Sequence, residues 1–190
     1  MSIETSWVRT LNSWGENHLS LVRIGSNDLV YLVILLSAIW ICAKILKAHP
    51  IKRSLREFLT NLAVKGLVIF AIPVGIATII SELISMVYVR ERPFVADQKV
   101  RLLVPHSADG GMPSHHIVFM VALITTVFFY ERGFATFLAG LTLITGLARV
   151  VAGIHYPSDI FVGVVLGVGV AYLYRWGMVK LFSEKQTALD

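Results

Sequence analysis

FATFLAGLTLITGLARVVAGIHYPSDIFVGVVLGVGVAYLYRWGMVKLF, residues 134–182, decides the fold. Two apolar runs, about 134–152 and 159–182, flank a short polar turn holding His155, Tyr156, Pro157 and Ser158. Each run has the length of a bilayer-spanning helix, which takes about 20 apolar residues. In lipid, only helices and closed barrels satisfy their own backbone groups. These runs are continuous rather than alternating, so they form a helical hairpin with a chemically loaded turn. Gly163 and Gly167 make a GxxxG spacing, read as close helix packing within a bundle rather than as a dimer signal.

Working outward, further runs occupy about 29–46, 62–89 and 115–130, with Pro73 as an expected kink in the second. Lys65 lies at the inner end of that run, where it can snorkel. Glu131, Arg132 and Gly133 make a tight turn, and a polar loop covers about 90–113. Ile3, Trp7, Leu11 and Trp14 recur at helical spacing among polar residues. That pattern predicts an amphipathic helix at 3–14 lying in the membrane interface. The expected architecture is all-α: about five transmembrane helices plus the N-terminal interfacial helix. It forms one membrane-embedded domain over 1–190, with a motif-bearing core at about 60–175.

Composition agrees. The 190 residues are 56% hydrophobic and 15% charged, with mean hydropathy +0.72. A soluble domain carries about 25% charged residues, so soluble, disordered and disulfide-scaffold classes are excluded. Cys42 is the only cysteine, so no intramolecular disulfide or thiolate metal site is expected. Residues 1–28 have no apolar core of signal-peptide length, so insertion is expected to depend on the mature helices. The net charge of +5 is attributed to topology and anionic lipid, not to nucleic acid. With five spans, Lys47, Lys52, Arg53, Arg56, Arg132, Lys180 and Lys185 share one side. The positive-inside rule makes that side cytoplasmic, and loop 90–113 and turn 153–158 then face outward.

Three polar stretches converge on that outer face. Arg90-Glu91-Arg92-Pro93 offers Arg92 as a bidentate phosphate ligand, while Arg90 is read as interfacial snorkelling. Pro113-Ser114-His115-His116 offers Ser114 as an N-cap, a helix N-terminus as an anion pocket, and His116 in its first turn. Arg149 precedes His155, and Asp159 follows His155 by four residues. That spacing lets Asp159 hold one imidazole nitrogen and leave the other free as a nucleophile. For each stretch a structural reading stands alongside: an ordinary helix start with interfacial histidines, or a first-turn acid with a Ser158 cap. Glu82 is either a supporting partner of the site or an inward hydrogen-bonded acid. His106 and Asp109 either order the loop and contact the head group or are simply solvated.

Together the three stretches resemble the type 2 phosphatidic acid phosphatase superfamily, whose signature is K-x6-R-P, P-S-G-H and S-R-x5-H-x3-D. Here stand Arg92-Pro93, then Pro113-Ser114-His115-His116, then Ala148-Arg149-x5-His155-x3-Asp159. V-Y-V-R-E-R-P-F-V, with L-V-P-H-S-A-D ahead of P-S-H-H, further resembles the bacitracin-resistance branch, which are undecaprenyl-diphosphate phosphatases. Ser85 stands at the family lysine, His115 at its glycine and Ala148 at its serine. His115 adds bulk or charge beside the anion pocket, and Ala148 lacks a hydroxyl donor. The family core has six spanning helices, of which the first is here at best the 3–14 segment.

The resemblance implies a metal-free phosphohistidine mechanism with no cofactor. His155 is the nucleophile, Asp159 orients it, and His116 is the general acid and then base. Arg92, Arg149, Ser114 and His115 bind the phosphate, and Lys99 and Arg101 are expected near the second phosphate of a diphosphate. The implied partners are a polyprenyl or other lipid phosphate and membrane lipids. The implied location is a bacterial plasma membrane with the site facing outward. Phosphatidic acid or phosphatidylglycerol phosphate is the alternative substrate, and a non-hydrolytic lipid-phosphate carrier is the alternative of another class.

Overall fold

The structure, a computed structural model, describes residues 3–48, 64 and 66–187. Its elements in chain order are α1 (Ile3–Glu16), α2 (Leu19–Arg23), a π-helical turn (Ile24–Asp28) and α3 (Leu29–Ala48). A second π-helical turn (Leu67–Ala71) precedes α4 (Ile72–Val87) and α5 (Pro93–Ala96). Then come α6 (His115–Phe128), α7 (Arg132–Val151) and α8 (Pro157–Thr187). No strand occurs among the described residues. Lys52, Arg53, Arg56 and Lys65 lie outside the described residues, as does most of the loop at 47–61.

Among the described residues, four helical segments are long and apolar enough to cross a membrane: Leu19–Lys44, Val68–Val87, Arg132–Val151 and Pro157–Leu181. The fifth, α6, has 14 residues, about 21 Å at the α-helical rise and short of the roughly 30 Å apolar core. It is nonetheless the centre of the bundle and packs against α3, α4, α7 and α8. Ile117, Val118, Met120, Ala122 and Leu123 are all buried along it, so its outward match to lipid matters little. Gly163 and Gly167 explain its closest contact. A Cβ on Gly167 would lie 2.8 Å from the Val118 carbonyl oxygen, and one on Gly163 would lie 3.2 Å from Ile117 Cβ. The GxxxG therefore serves α8 against α6, within the chain.

The first span begins ten residues earlier than its apolar run suggests, at Leu19 rather than 29. Arg23, Asn27 and Asp28 look like loop residues but continue the helix through the π turn, where Gly25 and Ser26 are buried. A π turn widens the helix locally and is common at functional sites. Pro73 falls in the first turn of α4, directly after the other π turn, where its missing N–H is tolerated.

α1 forms as expected, and Ile3, Trp7, Leu11 and Trp14 are exposed on it. Its opposite face is not solvated. Val8, Asn12 and Gly15 are buried, and a Cβ on Gly15 would come within 2.5 Å of Val151 Cγ1. Asn12 Nδ2 donates to the carbonyls of Arg101 and Val151 (2.9 Å each), and Asn12 Oδ1 accepts from Arg101 N–H (2.8 Å). α1 thus lies across the same end of the bundle as loop 90–113 and turn 152–156.

Candidate active site

The α7–α8 turn is shaped by Gly153, whose φ of +76° is left-handed. A Cβ there would strike Val100 Cγ1 at 2.7 Å and the Arg101 carbonyl at 2.8 Å. Loop 90–113 is stitched onto this turn. Phe94 N–H donates to the Gly153 carbonyl (3.0 Å) and Leu103 N–H to the Ala152 carbonyl (3.2 Å). The stitching buries His155 to 2% exposure. Its Nδ1 lies 2.8 Å from the Gly111 carbonyl. A carbonyl only accepts, so Nδ1 carries the hydrogen and Nε2 presents a lone pair. That lone pair faces Arg92 Nη1 at 3.4 Å.

This corrects the expected role of Asp159. Its Oδ2 is 3.6 Å from His155 Nδ1, beyond hydrogen-bond range, and accepts instead from Tyr156 N–H at 2.7 Å. Backbone, not carboxylate, sets the tautomer. Asp159 is fully buried beside the imidazole and contributes charge. Burial first, then the cations Arg149 and Arg92, hold His155 well below its ordinary pKa, against the opposing bond to Gly111. The ring is therefore neutral at neutral pH.

Arg92 is buried, and its guanidinium closes on loop 90–113 rather than standing open. Nε and Nη2 donate to Asp109 Oδ1 (3.0 and 2.7 Å), Nη2 to the Gly110 carbonyl (3.1 Å) and Nη1 to the Ile154 carbonyl (2.9 Å). The edge left facing the site is Nη1, beside His155. Asp109 opposes its own burial through hydrogen bonds from Ser107 and Arg92, and its carboxyl stays below the ordinary range. Arg149, 1% exposed, donates from Nη1 to the Ser26 carbonyl (3.1 Å), and its Nη2 meets His106 Nε2 at 3.2 Å. His106 Nδ1 lies 3.1 Å from the Ser107 carbonyl, so it carries the hydrogen and Nε2 accepts from Arg149. Burial, with Arg92 and Arg149 nearby, keeps His106 neutral. Its ring stands edge-on to His155 at 6.3 Å.

Two donors in this cage have no partner: Ser114 Oγ and Arg149 Nε, both buried. Ser114 holds the N-cap position of α6 but makes no side-chain cap bond, correcting the capping expectation. Its N–H meets the Asp159 carbonyl (3.2 Å), tying α6 to the first turn of α8. An unmade buried hydrogen bond costs about 1–3 kcal/mol, and two in one cage suit a site that a polyanion completes. His116 is exposed in the first turn of α6, in the electrostatic neighbourhood of Arg149, His155 and His106. Next to it His115 Nδ1 lies 3.4 Å from Glu82 Oε1, while His115 Nε2 is buried without a partner.

The sequence reading missed the outer brace of the site. Arg90 is not a snorkelling cation. Its Nη1 donates to Asp159 Oδ1 (2.7 Å) and Ser158 Oγ (2.6 Å), its Nη2 to Glu4 Oε2 (2.9 Å), and it stacks on Tyr156 at 4.2 Å. Glu4, from α1, also accepts from Ser158 N–H (3.0 Å) and Ser158 Oγ (3.1 Å). Arg9 pairs with Asp97 on the same interface. Lys99 and Arg101 are exposed and are not among the contacts of His155, Arg92 or Arg149. Arg101 pairs with Glu16 at 3.3 Å, and Lys99 N–H binds Asp97 Oδ1 at 3.0 Å. The Arg101 side chain and the Lys99 backbone N–H thus help to hold the loop.

His115 and His116 open onto a cleft of about 500 Å³, lined also by Arg23, Asn27, Asp28, Val30, Tyr31, Ile34, Thr78 and Phe119. Its lining is charged or polar at Arg23, Asn27, Asp28, His115 and His116, and apolar at Val30, Ile34 and Phe119. Among the described residues no group of three or more His, Cys, Asp or Glu side chains is arranged to hold a metal ion.

Residues 66–183 match the PAP2 superfamily. Undecaprenyl-diphosphatase BcrC of Bacillus subtilis (strain 168) is 36% identical over 108 residues, 56% of this chain and 55% of that protein. The alignment thus spans little more than half of that relative. Bacitracin transport permease protein BcrC of Bacillus licheniformis is 24% identical over 148 residues, 70% of this chain and 73% of the other. The crystal structure of Aquifex aeolicus LpxE superposes with a TM-score of 0.62, covering 92% of this chain and 95% of that one. At 18% identity this likeness is one of fold.

Proposed function

Because the chain belongs to the PAP2 superfamily, we propose that it is a membrane lipid phosphatase that hydrolyses undecaprenyl diphosphate to undecaprenyl phosphate and inorganic phosphate. The observation that carries this is the neutral His155, its Nε2 lone pair turned to the Arg92 guanidinium, together with a cleft lined by His116 and Arg23 and by apolar Val30, Ile34 and Phe119. A soluble phosphate ester needs no such apolar arm.

In the first step Nε2 of His155 attacks the terminal phosphorus in line. The N–P bond forms, the bridging P–O bond breaks, and His116 gives its proton to the leaving lipid-phosphate oxygen. Asp159 stabilises the charge that the imidazole acquires. In the second step His116 takes a proton from water, whose oxygen attacks phosphorus. The N–P bond breaks, inorganic phosphate leaves, and the enzyme is restored. Arg149 Nε, Ser114 Oγ, Arg92 Nη1 and the first amides of α6 receive the equatorial oxygens. Phosphoryl transfer is mainly positioning and charge stabilisation, and this cage supplies both. Glu82 holds His115 beside the acid. The positive-inside rule directs the site to the exterior of the plasma membrane.

The name of the B. subtilis relative favours the diphosphate, while phosphatidic acid and phosphatidylglycerol phosphate fit the same chemistry. A non-hydrolytic carrier has no use for a neutral, oriented nucleophile. The test is phosphate release by the purified chain in detergent. Undecaprenyl diphosphate is expected to turn over faster than phosphatidic acid, with no loss on adding a chelator. Release from neither lipid overturns the reading, and chelator-dependent release overturns the metal-free mechanism.

A further inference from the structure

The first span contributes a second polar surface to the site. Its π turn is tied to the cage, because Arg149 Nη1 donates to the Ser26 carbonyl (3.1 Å) and a Cβ on Gly25 would lie 2.7 Å from Ala148 Cβ. That close approach sets Arg23 and Asn27 on the wall of the cleft that His115 and His116 enter. Arg23 is exposed and makes no ion pair among the described residues. The segment lies outside residues 66–183, which carry the family match.

We propose that Arg23, with Asn27, forms the subsite for the phosphate that stays on the lipid, and so makes the chain selective for lipid diphosphates over lipid monophosphates. This rests on the phosphatase reading above. The cations around His155 serve the phosphoryl group being transferred. When the bridging bond breaks, the oxygen that His116 protonates remains bonded to the second phosphorus. The retained phosphate therefore lies just beyond His116, in the cleft into which that ring opens. There the cation is Arg23, the neutral amide donor is Asn27, and His115 lines the same cleft. Asp28 shares the rim and limits the positive field, so direct hydrogen bonds from Arg23 carry the recognition. Beyond them Val30, Ile34 and Phe119 receive the first part of the tail. Arg101 is paired with Glu16 of α1, and neither it nor Lys99 lines this cleft.

The experiment compares one prenyl tail bearing one or two phosphates, farnesyl phosphate and farnesyl diphosphate, with purified wild type, Arg23→Gln, Arg23→Lys and Asn27→Ala. A charge-assisted hydrogen bond lost at this site lowers the ratio of kcat/KM on diphosphate to that on monophosphate about tenfold or more. Arg23→Gln is expected to show that fall, carried by KM, Arg23→Lys to recover most of it, and Asn27→Ala to show a smaller one. Equal losses on both substrates, or an unchanged ratio, overturn the subsite while leaving the phosphatase reading standing. A wild type that releases phosphate from neither substrate overturns both.

Discussion

The carbonyl oxygen of Gly111 decides which nitrogen of His155 keeps its lone pair. It lies 2.8 Å from Nδ1, and the loop comes this close because residue 111 has no side chain: a Cβ would sit 3.3 Å from the Arg90 carbonyl and from Arg92 Cγ. Asp159 then acts as a charge rather than a tautomer clamp. Asp159→Asn should lower kcat on the order of 10- to 100-fold yet leave Nδ1 protonated by ¹⁵N NMR. A change of tautomer in that variant would restore the carboxylate to the clamping role. The pH dependence follows with its sign. The His155 pKa is pushed well below 6.5, so the lone pair is lost only as pH falls through that lowered value. The acid limb of kcat/KM contributed by the enzyme should lie below about pH 6.5, and a nucleophile titrating at or above that value would contradict the burial argument. The spacing of Arg149, His155 and Asp159 made these residues legible in the sequence. The Gly111 carbonyl was not, because a backbone acceptor carries no sequence signature.

α1 shows what periodicity reveals and what it hides. Ile3, Trp7, Leu11 and Trp14 mark its exposed apolar stripe, but the polar face gives no hint that Glu4 reaches Arg90 and Ser158 or that Asn12 binds the 101 and 151 backbone. Those partners lie far along the chain, and only the folded α7–α8 turn brings them together. The π turn was missed for a similar reason, since Arg23 and Asp28 broke the apolar run without breaking the helix. Asp159 is fully buried and Arg90 is its only cationic partner within ion-pair distance among the described residues. Arg90→Ala should therefore destabilise the fold by roughly 3 kcal/mol, as for other buried pairs losing one member, read as a lowered thermal midpoint in detergent. Glu4→Gln removes only the outer charge of the brace. It should reduce kcat several-fold at nearly constant KM, with Glu4→Asp recovering part of the loss. A KM change instead would place Glu4 in substrate binding.

For the whole molecule, the bundle class and the convergence of three distant motif stretches on one end were legible, because unbroken apolar runs fix helices and hairpins fix which loops share a face. The short central helix was less so. Its 14 residues suffice because α3, α4, α7 and α8 surround it, and single-helix hydropathy cannot express that. Orientation rests on the distribution of Lys and Arg. In a Cys42→Ser background, a cysteine placed in loop 90–113 by Ser107→Cys should react with a membrane-impermeant thiol reagent in intact cells, as the proposed outward orientation requires. Labelling only after permeabilisation would invert the topology.

The account turns on a covalent phosphohistidine at one nitrogen of one residue. Turnover of undecaprenyl diphosphate ³²P-labelled at its terminal phosphorus, quenched in alkaline denaturant and resolved by mass spectrometry under alkaline conditions, tests it directly. The predicted result is acid-labile phosphate on Nε2 of His155, absent from His155→Ala, which folds but does not turn over. Label on another residue or on Nδ1, or substantial phosphate release by His155→Ala, would contradict it.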